Sequence, residues 1–252
     1  AYADLHRVSI EMAARDLRYG YFENLRRDIE AQDICVAHHR DDSVETVLLN
    51  LVRGTGLRGL RGIQPRNGNI IRPLLSLSRE DIVQYLDALG ESYVTDSTNL
   101  HNDVKRNKIR LDVMPLLREL NPSVSQSIFE SSLRVGEALK VFDEAMKRSI
   151  ADVTATSPSH HLTISPPHHL VISVERLKKQ PSPEYTLHEI LSSYGFTSAQ
   201  IEQIYGSLDT CSAGKIIASD SHELAFDRGS LLVQPRTNVA DSARSMRIPE
   251  TG

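Results

Sequence analysis

The sequence predicts an α/β fold, in which a parallel sheet with helices on its faces precedes a smaller α+β domain. Three observations indicate this fold. A short apolar strand leads into an apolar helix, a second strand and helix repeat that order, and a new series of strands and helices follows a proline-rich break. Such alternation is typical of parallel sheets covered by helices. The 252 residues, 40% of them hydrophobic, suffice for one large or two ordinary domains.

The composition argues against several classes of protein. Cys35 and Cys211 lie far apart with no CxxC spacing, so neither a disulfide framework nor a cysteine-ligated metal is indicated. No apolar run approaches the roughly 20 residues that cross a bilayer, and the first residues are too charged for a secretory signal. We therefore expect a cytoplasmic protein with no membrane partner. Because the net charge is −4, any RNA contact must come from local basic clusters.

The first predicted elements are an amphipathic helix and a buried strand. Apolar residues at helical spacing predict a helix over 8–29. The apolar run 33–37, which includes Cys35 and stops at His38 and His39, predicts a buried strand of a parallel sheet.

Two helices are predicted to follow. For the first, Asp41 or Asp42 can serve as the N-cap, and Gly54 supplies the C-terminal stop. After a strand at 70–71, a second helix begins at Ser78, with Asp81 three residues later as in a capping box.

The end of the first strand is the predicted site. In an open α/β sheet, ligands bind beyond the carboxyl ends of the strands, where His38 through Glu45 lie. Asp42 and Glu45 share one helix face near the positive end of the helix dipole, where they can hold an ammonium group or a magnesium ion. Acids in a first helical turn are more often caps and dipole partners. Two histidines and the RGTG exit loop favour a site.

A basic cluster near residue 105 is a second candidate. Lysine and arginine side chains alternate there with amides that can donate to phosphates and base edges. The cluster comprises Lys105, Arg106, Lys108 and Arg110, beside Asn99, Asn102 and Asn107. Asp96 and Asn99 resemble turn and capping residues. The alternative interpretation is a solvated helix start.

Two further histidine pairs, His160-His161 and His168-His169, raise the question of a metal site. Adjacent residues on a strand point to opposite faces, so neighbours seldom supply two ligands to one ion. We favour ordinary surface histidines.

The second half of the chain predicts helices and short strands. One long helix or a pair begins at the cap Asn121-Pro122-Ser123, and 157–167 is a linker-like break. A strand over 170–174, helices within 184–196 and 198–208, and three short strands within 215–233 follow.

Five segments of the sequence are read together: SIEMAARDLRYGYF, AHHRDDSVETVLLNLVRGTGLRGLRGI, IIRPLL, SREDI and DSTNLHNDVKRNKIR. Their order resembles that in tRNA(Ile)-lysidine synthetases, members of the PP-loop ATP pyrophosphatase superfamily. The resemblance is strong over Ser9–Leu120 and weak beyond. It implies an adenine-nucleotide-hydrolase-like fold, with the C-terminal part of the PP-loop catalytic domain at 1–120. A helical connector at 121–156, a tRNA-recognition domain at 157–236 and a tail at 237–252 would follow.

The resemblance implies a ligase. ATP would adenylate the C2 oxygen of the wobble cytidine in tRNA(Ile) with a CAU anticodon, and the ε-amine of free L-lysine would displace AMP to form lysidine. ATP and Mg²⁺ are the implied cofactors, and a homodimer is left open.

The resemblance also implies roles for individual residues. Arg18 would bind the lysine carboxylate in preference to Arg15, for which the alternative is a salt bridge on the helix surface. Asp42 and Glu45 would bind the amino groups of lysine. Either Asp41 or Asp42 would take the proton of the attacking amine. The implied catalytic residues are His38, Asp41, Asp42 and Arg110; the ATP-binding residues His38, Gly54 and Gly56; the tRNA-binding residues Lys105, Arg106, Asn107 and Arg110. Any magnesium ion would lie near Asp41.

The family's SGGxDS phosphate loop does not occur in this sequence, so we expect a fragment that is inactive alone. Two alternatives remain open. A PP-loop tRNA thiolase would depend on reactive or paired cysteines, against which the predicted burial of Cys35 argues. A non-catalytic RNA-binding module belongs to another class of function.

Overall fold

A computed structural model of the chain describes residues 2–94, 105–154, 170–210 and 214–236. These residues divide into two compact units, 1–140 and 141–252. Several predictions lie outside the described residues: the linker at 157–167, the tail, Cys211, both later histidine pairs, and the turn residues Asp96, Asn99 and Asn102. The predicted fold class is confirmed, because a parallel strand pair with helices precedes an antiparallel sheet with helices.

The first unit opens with helix α1 (Tyr2–His6) and helix α2 (Ile10–Asp28). The long amphipathic helix is therefore confirmed, and the Ser9 side chain caps it by accepting from the Met12 N–H at 3.1 Å. Ala13 on α2 is buried, whereas Ile10 is 82% exposed. The apolar face that the sequence predicts is largely uncovered by the residues described.

A small sheet follows, made of β1 (Ile34–Cys35), β2 (Arg66–Asn67) and β3 (Ile70–Ile71) in the order β1-β3-β2. Strand β1 is parallel to β3, and β2 is antiparallel to it. The prediction that Cys35 is buried is wrong, since it is exposed. Within the described strands β1 pairs with β3 alone and lies at the edge of the sheet. An apolar strand sequence therefore does not ensure that its side chains are buried. Burial of Cys35 therefore no longer argues against thiolation.

Helices α3 (Arg40–Val52) and α4 (Leu57–Leu60) come next. The N-cap of α3 is His39, not Asp41 or Asp42, because the backbone of His39 is extended and its N–H donates to the Asp42 carboxylate at 3.0 Å. Gly54 ends the helix with φ of +73°, a conformation that favours glycine.

The rest of the first unit is helical. Helix α5 (Arg79–Leu89) has the predicted capping box, in which the Ser78 N–H donates to Asp81 at 2.7 Å and the Asp81 N–H to Ser78 at 3.0 Å. Helix α6 (Lys105–Lys108), a π-helical segment (Ile109–Val113) and helix α7 (Met114–Leu120) follow. The core joins Val44 of α3 to Leu75, Ile109, Met114 and Phe129.

Helix α8 (Val124–Thr154) is one continuous helix. The boundary between the compact units falls within it, after Lys140. No helix in the ranges that the structure describes is both long and apolar enough to span a membrane.

The second unit holds four antiparallel strands in the order β4-β7-β6-β5, close to the predicted positions. The strands are β4 (Leu170–Ser173), β5 (Ile216–Ala218), β6 (His222–Asp227) and β7 (Ser230–Pro235). The helices are α9 (Val174–Lys178), α10 (Pro183–Ser192) and α11 (Ser198–Gly206). Leu187, Leu191, Ile204 and Leu231 are fully covered in a core between these helices and the sheet.

Candidate functional site

The candidate site lies where the two parallel strands of the first unit end. His38 and His39 follow β1, and Arg72 follows β3 directly. Both strands point the same way, so these side chains emerge at one edge of the sheet, as expected for a ligand site in an α/β fold. The first turns of α3 supply the acids, and α6 with the π-helical segment supplies two arginines.

Glu45 is the buried centre of a charge cluster and is 2% exposed. Arg110 binds its carboxylate at both oxygens, with Nε to Oε1 at 2.6 Å and Nη2 to Oε2 at 3.0 Å. Nε of Arg106 is 3.1 Å from Oε2. The hydrogen bond that Arg110 donates to Glu45 raises the pKa of its guanidinium, despite the opposing effect of burial, so Arg110 stays charged. Two guanidinium groups thus compensate one buried carboxylate.

Asp42 lies one turn before Glu45 and makes fewer close contacts with charged groups. Its Oδ2 accepts the His39 N–H at 3.0 Å, and its Oδ1 is 3.8 Å from Nη2 of Arg110. Arg106 completes the cluster by donating to the Thr46 hydroxyl at 2.8 Å. Oδ1 of Asp42 is therefore near the Arg110 guanidinium but accepts no hydrogen bond from it.

Asp41 serves as an anchor between helices. Its Oδ2 accepts the Arg79 N–H at the start of α5, and its Oδ1 accepts the Ser125 hydroxyl of α8, both at 2.8 Å. Burial pushes the pKa of this carboxyl upward, but those two hydrogen bonds and the charges of His39 and Arg40 outweigh it, so the pKa lies below its ordinary value.

The hydrogen bonds of Asp41 argue against the expected magnesium ion near this residue. Both of its oxygens already accept hydrogen bonds, and the described part of the chain holds no group of three or more histidine, cysteine or acidic side chains able to bind a metal. The residues present do not fit a magnesium ion at Asp41, and we place none there.

The hydrogen bonds of Asp41 predict a pH-dependent loss of stability on Asp41→Asn. The charged carboxylate favours folding above its unfolded pKa of about 3.9, and this contribution fades as the pH falls through the lower folded pKa. We expect a loss of about 1–2 kcal/mol at pH 7 that shrinks below about pH 4. Urea unfolding of both proteins at pH 7 and below about pH 4 measures this loss of unfolding free energy. An equal loss at the two pH values would contradict the role of the charged Asp41 carboxylate.

His38 is held by a buried arginine. Arg72, 8% exposed, donates from Nε to Nδ1 of His38 at 3.1 Å and from Nη1 to the Gln64 carbonyl at 2.8 Å. Burial lowers the pKa of His38; the charge of Asp42 opposes this, and those of Arg72, Arg15 and Arg106 add to it. A guanidinium only donates, so the neutral ring carries its proton on Nε2.

Two cavities flank α3. One of about 840 Å³ lies on the side of His38, Thr46 and Asn50, and its lining includes seven arginines and Lys105. The other, about 800 Å³, has a mixed lining that includes Asp41, Glu45, Arg79 and Arg110. We call the first the basic cavity. Phosphate groups are the natural ligands of such a lining, whereas the second cavity suits a ligand with both charges.

The structure brings together many of the predicted site residues. His38, Asp42, Glu45, Arg106 and Arg110 form one cluster around α3. Lys105 lines the basic cavity, whereas Asn107 is buried.

Other predicted site residues lie apart from that cluster. Arg18 is exposed and lines neither cavity, whereas Arg15 lines the basic cavity. A Cβ added at Gly54 or Gly56 would meet nothing within 4 Å, so no close approach among the described residues requires either glycine.

Sequence reasoning missed Arg72, Arg53 and Arg61. Arg72 could have been found by the argument that identified His38, because it directly follows the second parallel strand. Arg53 and Arg61 had no comparable signal, since only the folded loop places them on one cavity.

Comparison with known proteins gives two family matches. Residues 2–117 match the model of the PP-loop domain, and residues 166–236 match that of the TilS substrate binding domain. Curated relatives named tRNA(Ile)-lysidine synthase align along most of the chain. That of Bacteroides thetaiotaomicron is 46% identical over 92% of this chain and 51% of its own length. That of Parabacteroides distasonis is 41% identical, over 98% and 55% respectively. The chain spans about half the length of these relatives.

Proposed function

We propose that this chain, which belongs to the PP-loop superfamily and carries a TilS substrate binding domain, is part of an enzyme that joins lysine to a tRNA. The reaction is that named for its relatives, tRNA(Ile)-lysidine formation. The observation that carries the proposal is the cluster of Asp42, Glu45, Arg106 and Arg110, which offers both signs of charge beside His38. A free amino acid needs both, because it presents a carboxylate and ammonium groups.

Two chemical steps make up the reaction. The C2 oxygen of the wobble cytidine, in the CAU anticodon of tRNA(Ile), attacks the α-phosphate of ATP and pyrophosphate leaves. The ε-amine of L-lysine then attacks C2, the bond from C2 to the adenylate oxygen breaks, and AMP leaves. ATP supplies the activated phosphate, and this chain's residues bind, orient and move protons.

Asp42 is the proposed acceptor of the lysine proton. The ε-ammonium has an ordinary pKa near 10.4, so it must lose a proton before it attacks. Asp41 is poorly suited to this task because two hydrogen bonds hold its carboxylate and lower its pKa. Asp42 retains an oxygen without a close donor, and Arg110 lies 3.8 Å away to hold the lysine carboxylate or the adenylate.

Glu45 is proposed to act through the arginines. Both oxygens of its carboxylate already contact guanidinium nitrogens, three in all at 2.6–3.1 Å. Neither oxygen is therefore free to bind a lysine ammonium closely. Its task is then to fix Arg106 and Arg110 at the positions where they meet anionic groups of the substrates.

His38 is the proposed donor to a phosphate. Its Nδ1 accepts from Arg72, so Nε2 carries a proton that can bind a phosphate oxygen or the leaving AMP. Lys105 and Arg106 line the same cavity and add positive charge for the nucleotide or the RNA.

Replacing Arg72 with glutamine tests how His38 is held. Removal of the neighbouring guanidinium should raise the pKa of His38, because Arg72 is one of three cations that lower that pKa. The measurement is an NMR titration of the imidazole C2–H, assigned from its absence in a His38→Gln variant. Arg66→Gln is the control, since Arg66 lines the same cavity but pairs with Asp33. An unchanged His38 titration in Arg72→Gln would refute the assignment.

The proposed function is tested by transfer of isotopic lysine into a tRNA(Ile) transcript by the intact protein with ATP and magnesium. We expect label in the CAU-bearing tRNA and none in a transcript whose wobble base is changed. Binding of the tRNA without label would favour the RNA-binding module instead.

A further inference from the structure

The basic cavity has a lining of one sign. Among its lining residues, all within the described ranges, there are eight lysine and arginine side chains and no aspartate or glutamate. Such an arrangement repels itself in the absence of a ligand and attracts anions into the cavity. The polar side chains of Asn50 and Gln64 also line it.

Three of these cations contact other side chains of the chain. Arg66 pairs with Asp33 at 2.7 Å, Arg72 holds His38, and Arg106 binds Glu45. Arg53 and Arg61 differ, since in the described ranges neither guanidinium donates a hydrogen bond or pairs with a carboxylate. Both are exposed at helix ends, Arg53 after α3 and Arg61 after α4. The helix dipole favours a cation at each position but does not explain the absence of acids across the cavity.

The loop that carries Arg53 and Arg61 is held in place. The Asn50 amide donates to the Gly59 carbonyl at 2.8 Å, and the Gln64 amide donates to the Arg61 carbonyl at 3.0 Å. A Cβ added at Gly59 would come within 2.2 Å of the Thr55 side chain, so the loop is closely packed on itself. The two guanidinium groups therefore extend from a fixed backbone, which lowers the entropy that binding would cost.

We propose that Arg53 and Arg61 form a phosphate-binding site in the basic cavity, which takes phosphate groups of the nucleic acid or nucleotide substrate. A guanidinium presents two parallel N–H groups that match two oxygens of a phosphate. The inference rests on the proposed function only for the identity of the substrate. It adds a site on the loop between α3 and α4 to the cluster around Asp42.

The test is the variant Arg53→Gln/Arg61→Gln in the intact protein. Dissociation constants are measured separately for ATP and for the anticodon stem-loop of tRNA(Ile), each over a series of salt concentrations. We expect about a tenfold weaker affinity for one of the two ligands. If that ligand is the RNA, the salt dependence should also become shallower, by about 0.7–0.9 for each phosphate that is no longer bound. The ligand that loses affinity identifies the source of the phosphate.

The matched control removes two cations elsewhere on the same unit. Arg134→Gln/Lys140→Gln changes exposed residues of α8 that pair with Glu130 and Glu137. The variant Arg53→Lys/Arg61→Lys keeps the charge and should recover part of the affinity.

Two outcomes would overturn the phosphate site: unchanged affinity for both ligands, or an equal loss in the control. Lysine transfer by the unaltered protein is assayed in parallel. If it binds RNA but transfers no lysine, the proposed function fails while the phosphate site stands.

Discussion

Replacing Asp42 with asparagine in the intact protein is expected to reduce lysine transfer at least about a hundredfold while adenylation of the tRNA continues. Asparagine has the shape of aspartate and keeps an oxygen for the His39 N–H, so the start of α3 is preserved. It cannot accept a proton from the lysine ammonium or balance its charge. The two steps are measured separately, as isotopic lysine in tRNA and as tRNA-dependent exchange of pyrophosphate with ATP.

The control for this variant is Asp87→Asn, which removes an exposed carboxylate from α5. It should leave both steps unchanged. Unaltered lysine transfer by Asp42→Asn would remove Asp42 from the mechanism. Equal loss of both steps would indicate that Asp42 supports adenylation, and that the proton goes elsewhere.

The sequence predicts best the features that depend on residues close together in the chain, such as helix caps. Ser78 and Asp81 are three residues apart, and their reciprocal hydrogen bonds need no other part of the chain. The positive φ of Gly54 is likewise a property of one residue at a helix end. The N-cap of α3 was placed two or three residues late, because a histidine is an unusual cap and three acids follow it.

Contacts between site residues that are distant in sequence could not be predicted. Glu45 and Arg110 were both expected at the site, but as partners of substrates, whereas the fold joins them to each other across 65 positions. The bond from Arg72 to His38 spans 34 positions. Neither pairing has a periodicity or a local motif. The first depends on how the π-helical segment packs beside α3, and the second on the pairing of β1 with β3. Burial behaves similarly, as the exposed Cys35 shows.

Replacement of Glu45 with glutamine should cost the most stability of any change considered. Two guanidinium groups would lose the carboxylate that compensates them, and breaking such a buried pair costs about 3–5 kcal/mol. The arginine side chains are 26–30% exposed, so solvent screens them in part and we expect about 3 kcal/mol. Urea unfolding measures this loss. Glu130→Gln, which breaks an exposed pair with Arg134 on α8, is the control and should change stability by at most about 1 kcal/mol.

The same variant separates two roles for Glu45. If its carboxylate positions Arg106 and Arg110, a double-mutant cycle of Glu45→Gln with Arg110→Gln should show strong coupling, since either change alone leaves its partner uncompensated. If Glu45 instead binds the lysine ammonium directly, Glu45→Gln should raise the KM for lysine with little change in stability. A stable Glu45→Gln protein with a raised KM would therefore restore the ligand role, because a buried carboxylate whose removal costs nothing cannot be what holds the two arginines.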